Sequence, residues 1–440
     1  MPKTNLERLT TTILQERLFS DFVVDELNYR DRKLKGKELA DIIYIFGNKL
    51  IVFQVKTRII SQDHKIDELQ LHRITQKVDE AIGQIKSSVN QLTNMSPFKL
   101  KTARGFEINL EKNKISEIIG VVIIGVEDER GINITDNIDL SFGYQNKFNV
   151  PIHIFKINDF EEILNELDTF ADFKDYLDIR QRLLCEQKIF EYCGELDLLG
   201  AFIFRRDDIN KSFSKDSRII IEHGYWRKLK YSQTNLEYKV AIKHSYIIDE
   251  IINTMHKGVG FNIEDEFNGG IEGSKLDYFE TVYEMASLNR LSRKEIGNAL
   301  YQKTVKAVSA GSGYALLFLI DENIAVVILS FNGDRKKRRT TLMDLTSCAY
   351  AVLDEFDKSC NKVIGIATEP ADEKYRSYDV SIFENLSLAN TTELKDRKGN
   401  DMNRQNRMHD FHTPLLIDDL IEYFVKKIDI WQRSGARYAN

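Results

Sequence analysis

The stretch from residue 37 to residue 58 contains two apolar runs separated by a polar pair, Gly47-Asn48. The runs, 39–46 and 49–56, have the length and the composition of β-strands. A Gly-Asn pair between two such runs is typical of a two-residue hairpin turn. The pattern therefore predicts two antiparallel strands in which residue 46 pairs with residue 49.

Three polar side chains interrupt this apolar hairpin. The predicted turn places Asp41 directly opposite Gln54, and opposed residues share a face of the sheet. Because side chains alternate between the two faces of a strand, Lys56 lies on the same face as Gln54. The register therefore brings a carboxylate, a carbonyl-bearing amide and an ammonium together on strands where isolated polar groups are costly to bury.

The segments around the hairpin predict an α/β fold. Apolar residues recur at helical spacing in 5–22 and 71–94, which indicates a helix before the hairpin and another after it. Apolar runs at 23–29, 118–126 and 151–157 predict further strands. The order of these elements favours an α/β/α layer arrangement with a mixed central sheet.

The pattern changes near residue 160, where strands give way to long amphipathic helices. We therefore predict a domain boundary there, with one domain in 1–160 and a larger α+β region in 161–440. Within that region, 161–308 is predicted to be mainly helical and 309–440 to be α/β. The apolar segment 194–204, GELDLLGAFIF, is read as a strand or a buried helix.

A second apolar hairpin is predicted in 314–331, followed by the basic run 335–339, a helix at 340–356 and a strand at 362–368. This order repeats that of the N-terminal domain. No Asp and Gln-x-Lys pair accompanies it, so a second active site is not indicated. The repeat is interpreted either as a degenerate duplicate that binds or as chance recurrence of a common α/β unit. A single helix is predicted for 276–308.

The formal charge of −6 argues against indiscriminate binding to polyanions. Any contact with nucleic acid must then come from local basic patches and from metal, because phosphate affinity scales with the cations brought to the backbone. Candidate patches are 30–37, 99–104 and 335–339. Each has the alternative interpretation of a solvated surface loop.

The cysteine spacing and the hydropathy predict reduced cysteines and no membrane-spanning segment. The cysteines form no CxxC pair, so neither a zinc cluster nor a disulfide framework is expected. The N-terminal residues lack the pattern of a signal peptide, and the longest apolar run is too short to cross a bilayer. We therefore expect a cytoplasmic protein. His153, inside a predicted strand, is interpreted as a satisfied core or edge residue.

The combination of Asp41, Gln54 and Lys56 resembles the PD-(D/E)xK nuclease superfamily, the restriction-endonuclease-like fold, in the Gln-x-Lys variant of Mrr-like enzymes. The resemblance covers the first third of the chain. It implies that Asp41 and Gln54 hold Mg²⁺ or Mn²⁺ and that Lys56 orients or deprotonates the attacking water. Ala40 replaces the name-giving proline, and Gln54 replaces an acid, which weakens the electrostatic hold on a cation. The alternative is a buried hairpin whose polar residues are capped or paired for structural reasons.

The same resemblance implies a further acid and a main-chain ligand. Glu7 and Glu16 border the apolar stripe of the first helix, and the position of Glu7 fits the superfamily layout better. The alternative role of Glu7 is that of an exposed carboxylate at a helix start. Glu38 is the rival acid, although strand alternation points it away from Asp41. The main-chain carbonyl of Val55 is the remaining expected metal ligand.

The function that the resemblance implies is metal-dependent hydrolysis of phosphodiester bonds, with DNA rather than RNA as the expected substrate. The setting it suggests is a prokaryotic restriction or antiphage defence system, in which the C-terminal region recognises DNA, a signal or a partner protein. Self-association is expected because many members of the superfamily cut as dimers. The alternatives are a nucleic-acid-binding or scaffold protein with an inactive nuclease fold, and hydrolysis of another phosphate ester.

Overall fold

The structure is a computed structural model. In it the chain forms two compact units, residues 1–239 and residues 240–440. The residues that it describes are 4–24, 39–60, 68–94, 98–131, 133–135, 144–147, 149–191, 194–214, 217–259, 275–319, 324–356, 362–372 and 377–384. In this part of the chain no helix combines the length and the apolar character needed to span a membrane.

The elements that begin in the first unit include ten strands and eight helices within the described residues. The strands are β1 (Val23–Val24), β2 (Ile42–Phe46), β3 (Lys49–Ile60), β4 (Phe98–Lys101), β5 (Glu107–Leu110), β6 (Glu117–Asp128), β7 (Tyr144–Lys147), β8 (Val150–Lys156), β9 (Ile189–Glu191) and β10 (Ile219–Ile220). The helices are α1 (Asn5–Arg17), α2 (Glu68–Asn94), α3 (Ile157–Glu166), α4 (Phe170–Cys185), α5 (Glu195–Phe204), α6 (Arg206–Ser214), α7 (Tyr225–Lys230) and α8 (Gln233–Ile242).

The main sheet of the first unit has six strands in the order β1-β2-β3-β6-β8-β7. The pairs β1-β2, β2-β3 and β7-β8 are antiparallel, whereas β3-β6 and β6-β8 are parallel. Helix α2 connects β3 to β6 and buries its apolar stripe against one face of the sheet. The sequence prediction of an α/β fold with a mixed sheet is therefore confirmed.

The predicted hairpin register is confirmed as well. Phe46 pairs with Lys49, and the pairing continues to Ile42 opposite Phe53. Gly47 has φ of 59°, a left-handed value that glycine adopts without steric cost at the first position of such a turn. Two boundaries differ from the prediction, because β2 begins only at residue 42 and β3 continues to residue 60.

Helices α3 and α4 belong to the first unit, so the predicted domain boundary at residue 160 lies inside it. Phe160 on α3 contacts Phe53 on β3 with ring centroids 6.0 Å apart. Phe170 at the start of α4 stacks on Phe46, at 4.2 Å. These rings cover the face of the sheet opposite α2, and the compact unit continues to Lys239. The change from strands to helices at residue 160 thus marks a new layer rather than a new domain.

The second unit contains α9 (Tyr246–Val259), α10 (Lys275–Ala286), α11 (Arg290–Ala310), β11 (Ser312–Leu319), β12 (Ile324–Phe331), α12 (Arg335–Phe356), β13 (Lys362–Thr368) and β14 (Tyr378–Glu384). Its sheet has the order β11-β12-β13-β14, with β12 and β13 parallel and the other pairs antiparallel. Helix α12 connects the two parallel strands and packs its apolar residues on them. The predicted hairpin, helix and strand are all present.

Two predictions for the second unit are wrong. The basic run 335–339 forms the first turns of α12 rather than a segment before the helix. The single helix predicted for 276–308 is two helices, because Asn289 caps the start of α11 by accepting a hydrogen bond from the Ser292 N–H at 2.8 Å. Asparagine is a favoured N-cap residue, so a local signal for this break was present in the sequence.

Candidate functional site

The candidate site begins where β2 stops pairing with β3. The last bridged pair is Ile42 with Phe53, and Asp41 precedes it. Asp41 Oδ2 accepts a hydrogen bond from the main-chain N–H of Val55 at 2.6 Å. The carboxylate therefore takes the position at which a longer β2 would have accepted this N–H, and the continuing strand fixes its orientation.

Gln54 and Lys56 complete the cluster on the same face of β3. Lys56 Nζ lies 3.6 Å from Asp41 Oδ2 and donates to Gln54 Oε1 at 3.3 Å. Gln54 is only 3% exposed, whereas the side chains of Lys56 and Asp41 are 17% and 11% exposed. The three side chains predicted from the hairpin register are thus brought together, with the amide buried and the two charged groups reaching solvent.

The available donor atoms suit a hard cation. The Val55 N–H faces the β2 side of β3, and the carbonyl of a strand residue points to the same side as its N–H, so the Val55 carbonyl shares this edge with Asp41. Together with Gln54 Oε1 this makes an all-oxygen set, which fits Mg²⁺ or Mn²⁺. The described residues contain no cluster of three or more His, Cys, Asp or Glu suited to a metal ion. Among the described residues, Asp41 is thus the one carboxylate of this oxygen set.

Glu7, the expected second acid, makes local contacts within α1. Its Oε2 accepts from the Thr4 N–H at 2.9 Å, and the Thr4 hydroxyl accepts from the Glu7 N–H at 3.2 Å, which is a capping box. Helix α1 begins at the same end of the sheet as the cluster, because Leu6 packs against Gly125, which pairs with Thr57. It lies on the face opposite α2, however.

The remaining acid candidates are Glu16 and Glu38. Glu16 lies exposed on α1. Glu38 falls outside the described residues. The alternative role predicted for Glu7, a carboxylate that favours a helix start, is the one its contacts show.

Two residues near the cluster were not identified from the sequence. Arg58 follows Lys56 on the same face of β3 and donates from Nη2 to Gln70 Oε1 of α2 at 3.2 Å. Ser88 of α2 donates to the carbonyl of Leu39, two residues before Asp41. The alternation of β3 contained the signal for Arg58, since it continues the series of Gln54 and Lys56. The role of Ser88 depends on the packing of α2 and has no local signal.

The basic run 335–339 lies on a helix rather than in a loop, and its three arginines are paired with acids. Arg338 is fully buried, forms ion pairs with Asp379 and Glu369, and donates to Asp379 from Nε at 2.7 Å. Arg335 and Arg339 donate to the same Asp379 at 3.1 and 2.7 Å. The prediction that this run is available to nucleic acid is therefore wrong for the buried Arg338, and the contacts of all three arginines with Asp379 connect α12 to β14.

The other two predicted basic patches are 99–104 and 30–37. In the patch 99–104, Arg104 Nη1 lies 3.1 Å from the buried carboxylate of Asp21. The main-chain N–H of Ala103 donates to the Val23 carbonyl at 2.7 Å, so this turn is fixed to β1. The patch 30–37 falls outside the described residues.

His153 and the acids of GELDLLG form a structural network. His153 is buried, as interpreted from the sequence, and its Nδ1 lies 3.1 Å from Arg180 Nη1. Arg180 also makes a two-pronged contact with Glu195 of α5 at 2.8 and 2.9 Å. Asp197 accepts from the main-chain N–H groups of Gly224 and Trp226, both at 2.9 Å. The segment 194–204 is thus the buried helix of the two predicted possibilities, and its acids stabilise the fold.

Comparisons of the chain with protein-family models, with curated proteins and with solved structures find no match. The arrangement of Asp41, Gln54 and Lys56 at the end of the hairpin is therefore the basis for proposing a function.

Proposed function

We propose that this protein is a metal-dependent nuclease that hydrolyses phosphodiester bonds, with its active site at Asp41, Gln54 and Lys56. The observation that carries the proposal is the approach of Lys56 Nζ to both Asp41 and Gln54 at the end of the hairpin. An ammonium, an amide oxygen and a carboxylate on one edge offer both cation ligands and a donor to phosphate oxygens. The fold we propose for the first unit is the restriction-endonuclease-like one.

The topology supports that fold assignment. The hairpin β2-β3 is followed by α2 and by β6, which runs parallel to β3. This is the order of hairpin, crossover helix and parallel strand that the resemblance implies. The cluster lies at the open end of the hairpin, where β2 no longer pairs with β3.

Each side chain has a defined task in the proposed reaction. The ammonium of Lys56 donates to a phosphate oxygen and offsets the negative charge that grows there as the water attacks. Asp41, fixed by the Val55 N–H, and Gln54 Oε1 would hold Mg²⁺ or Mn²⁺ with the Val55 carbonyl. The bound cation would polarise the phosphate and acidify water. The partial burial of the three side chains strengthens these interactions, because water competes less for them.

The test is cleavage of plasmid, single-stranded DNA and RNA in Mg²⁺, Mn²⁺ or EDTA. We expect cutting, DNA being the proposed substrate, only with a divalent cation, and a loss on the order of 100-fold or more in Lys56→Ala. Lys49→Ala is the matched control, because Lys49 lies on the same strand at its other end. Circular dichroism checks that both variants are folded. Full metal-dependent activity in Lys56→Ala rules the assignment out.

One observation favours a second candidate, a nucleic-acid-binding or scaffold protein with an inactive nuclease fold. The cluster has one carboxylate, and Glu7 serves a capping box. Calorimetry with Mg²⁺ or Mn²⁺ separates the candidates by comparing the wild type with Asp41→Ala. Metal uptake that depends on Asp41 supports the nuclease, whereas nucleic-acid binding without such uptake supports the binding module.

The second unit is proposed to recognise DNA, a signal or a partner protein, in a cytoplasmic restriction or antiphage system. Its hairpin, β11-β12, has the same place before α12 as β2-β3 has before α2. The strands themselves, SGYALLFL and IAVVILSF, carry no charged residue. The two strands therefore carry no counterpart of the Asp41, Gln54 and Lys56 cluster. Self-association of the chain belongs to the same proposal, and light scattering tests it.

A further inference from the structure

Arg58 continues the row of polar side chains on the site face of β3. It follows Lys56 by two positions, and its Nη2 donates to Gln70 Oε1 of α2 at 3.2 Å, which confirms that it points to the α2 face. Its Nε is buried and has no hydrogen-bond acceptor in the structure. Arg58 is thus half-buried, and one of its donors has no acceptor within the protein.

The charge of Arg58 is also not offset by an acid. Within the described part of the chain, none of its ion pairs includes this guanidinium, although the partly or fully buried Arg104, Arg180 and Arg338 all have carboxylate partners. Its neighbour Gln70 lies in the first turn of α2, whose positive end gives a cation no help. A half-buried cation beside a neutral amide is costly unless an anion completes the site.

We infer that Arg58 binds the phosphate next to the one that is cut, so that the substrate is a polynucleotide strand rather than a small phosphate ester. This inference rests on the proposed nuclease function. Two residues along a strand span about 6.6 Å. That distance is comparable to the separation of successive phosphates along a nucleic-acid strand. With one phosphate at Lys56, the neighbouring phosphate therefore reaches Arg58.

The chemistry of the side chain suits this role. A guanidinium is planar, permanently charged and able to give two parallel hydrogen bonds to phosphate oxygens. Gln70 accepts from Nη2 and holds the group in place, and the N–H groups that Gln70 does not engage remain for the ligand. Gln70 thereby acts as a positioning residue for Arg58, and its neutral amide leaves the positive charge available.

The first test compares two substrates in the full-length protein with Mn²⁺. A single-stranded oligonucleotide offers a flanking phosphate, and bis(p-nitrophenyl) phosphate does not. We expect Arg58→Ala to lower kcat/KM for the oligonucleotide on the order of 10- to 100-fold. This loss should exceed the loss for the small diester by at least about tenfold. Arg17→Ala, an exposed arginine at the end of α1, is the control.

The second test measures binding without turnover, by fluorescence anisotropy of the oligonucleotide in EDTA. Arg58→Ala should reduce the slope of log affinity against log salt by about 0.7, the value for one phosphate contact on a single strand. Gln70→Glu supplies Arg58 with a carboxylate, so it should weaken binding to a similar extent while the melting temperature stays the same or rises. This second variant covers the case in which Arg58→Ala folds poorly.

The outcomes separate the inference from the proposed function. If the wild type cuts neither substrate but binding depends on Arg58 and Gln70 as described, the nuclease proposal fails and the phosphate site stands. If Arg58→Ala lowers the rates for both substrates by the same factor, the flanking-phosphate role is overturned. Unchanged affinity in both Arg58→Ala and Gln70→Glu overturns it as well, even when the wild type is an active nuclease.

Discussion

Ser88 on α2 donates a hydrogen bond to the main-chain carbonyl of Leu39, two residues before Asp41. Ser88 is buried, and its hydroxyl also lies 2.9 Å from the Gln84 carbonyl one turn earlier in the helix. A hydroxyl has one proton to donate, so the two carbonyls compete for it. The contact connects the crossover helix directly to the segment that carries the proposed metal ligand.

Ser88→Ala should destabilise the first unit and disturb the segment before Asp41. We expect the free energy of unfolding to fall by about 1–3 kcal/mol, because the buried Leu39 carbonyl is left without this donor. The matched control is Ser87→Ala, since Ser87 is exposed on the same helix. Urea unfolding followed by circular dichroism gives the two values, and hydrogen exchange at the start of β2 locates the effect. Equal stability of the two variants would contradict the assigned role.

Asp41 is expected to have two separable roles, one structural and one chemical. Asp41→Asn keeps an oxygen that can accept the Val55 N–H, whereas Asp41→Ala removes it. We therefore expect the alanine variant to be less stable than the asparagine variant by about 1–3 kcal/mol. Both variants should lose the proposed Mg²⁺ uptake, because the carboxylate charge is gone in each. Unfolding and calorimetry on the same preparations check the two halves of the prediction.

The controls for this pair are specific. Asp79→Asn changes an exposed carboxylate on α2 and should alter neither the stability nor the metal uptake. If the asparagine and alanine variants of Asp41 unfold at the same urea concentration, the hydrogen bond to Val55 does not stabilise the open end of the hairpin.

The sequence was sufficient to predict the hairpin cluster because its geometry is local. A two-residue turn at Gly47-Asn48 fixes which residues are opposed, and strand alternation fixes which of them share a face. Asp41, Gln54 and Lys56 therefore follow from spacing alone. Arg58 follows from the same rule, because it continues the alternation of Gln54 and Lys56, although it lies outside the Asp and Gln-x-Lys pattern.

Two of the predictions that failed concern contacts between distant segments. The arginines of 335–339 are charged in the sequence, and nothing nearby shows that Asp379 on β14 neutralises them. The hydrophobic periodicity also does not indicate that Phe160 packs on Phe53. Because of this packing, the first unit continues past residue 160. Local sequence patterns indicate which segments form helices or strands and which residues share a face of each element. Ion pairs between elements depend on the tertiary structure.

Asp379→Asn should strongly destabilise the second unit. The substitution leaves the buried Arg338 with a neutral amide in place of a carboxylate, and Arg335 and Arg339 lose the same partner. Breaking a buried ion pair from one side costs about 3–5 kcal/mol, and we expect a loss near the lower end because Glu369 remains beside Arg338.

The control is Lys336→Ala, which removes an exposed charge from the same basic run. It should change the free energy of unfolding by no more than about 0.5 kcal/mol. Urea unfolding of both variants measures the contrast. If Lys336→Ala costs as much as Asp379→Asn, the run is not held through Asp379 as the structure indicates.

His153 should make the first unit less stable below neutral pH. Burial, and then the positive charges of Arg180 and Lys174, hold the pKa of His153 well below its ordinary value of 6.5 in the fold. The unfolded chain takes up a proton at this residue near pH 6.5, and the folded chain does not. The stability is therefore fully present above this pH and is lost as the pH falls, by up to about 1.4 kcal/mol per pH unit.

His153→Asn isolates this contribution, because an asparagine oxygen can stand where Nδ1 meets Arg180 but cannot titrate. We expect the stability difference between the wild type and the variant to shrink as the pH is lowered from about 7.5 to 5.5. Urea unfolding at several pH values gives the difference directly, whatever the absolute stability of the variant. His72→Asn, at an exposed histidine of α2, is the control and should keep the wild-type pH dependence. A difference for His153→Asn that stays constant across this range would show that the buried imidazole does not resist protonation.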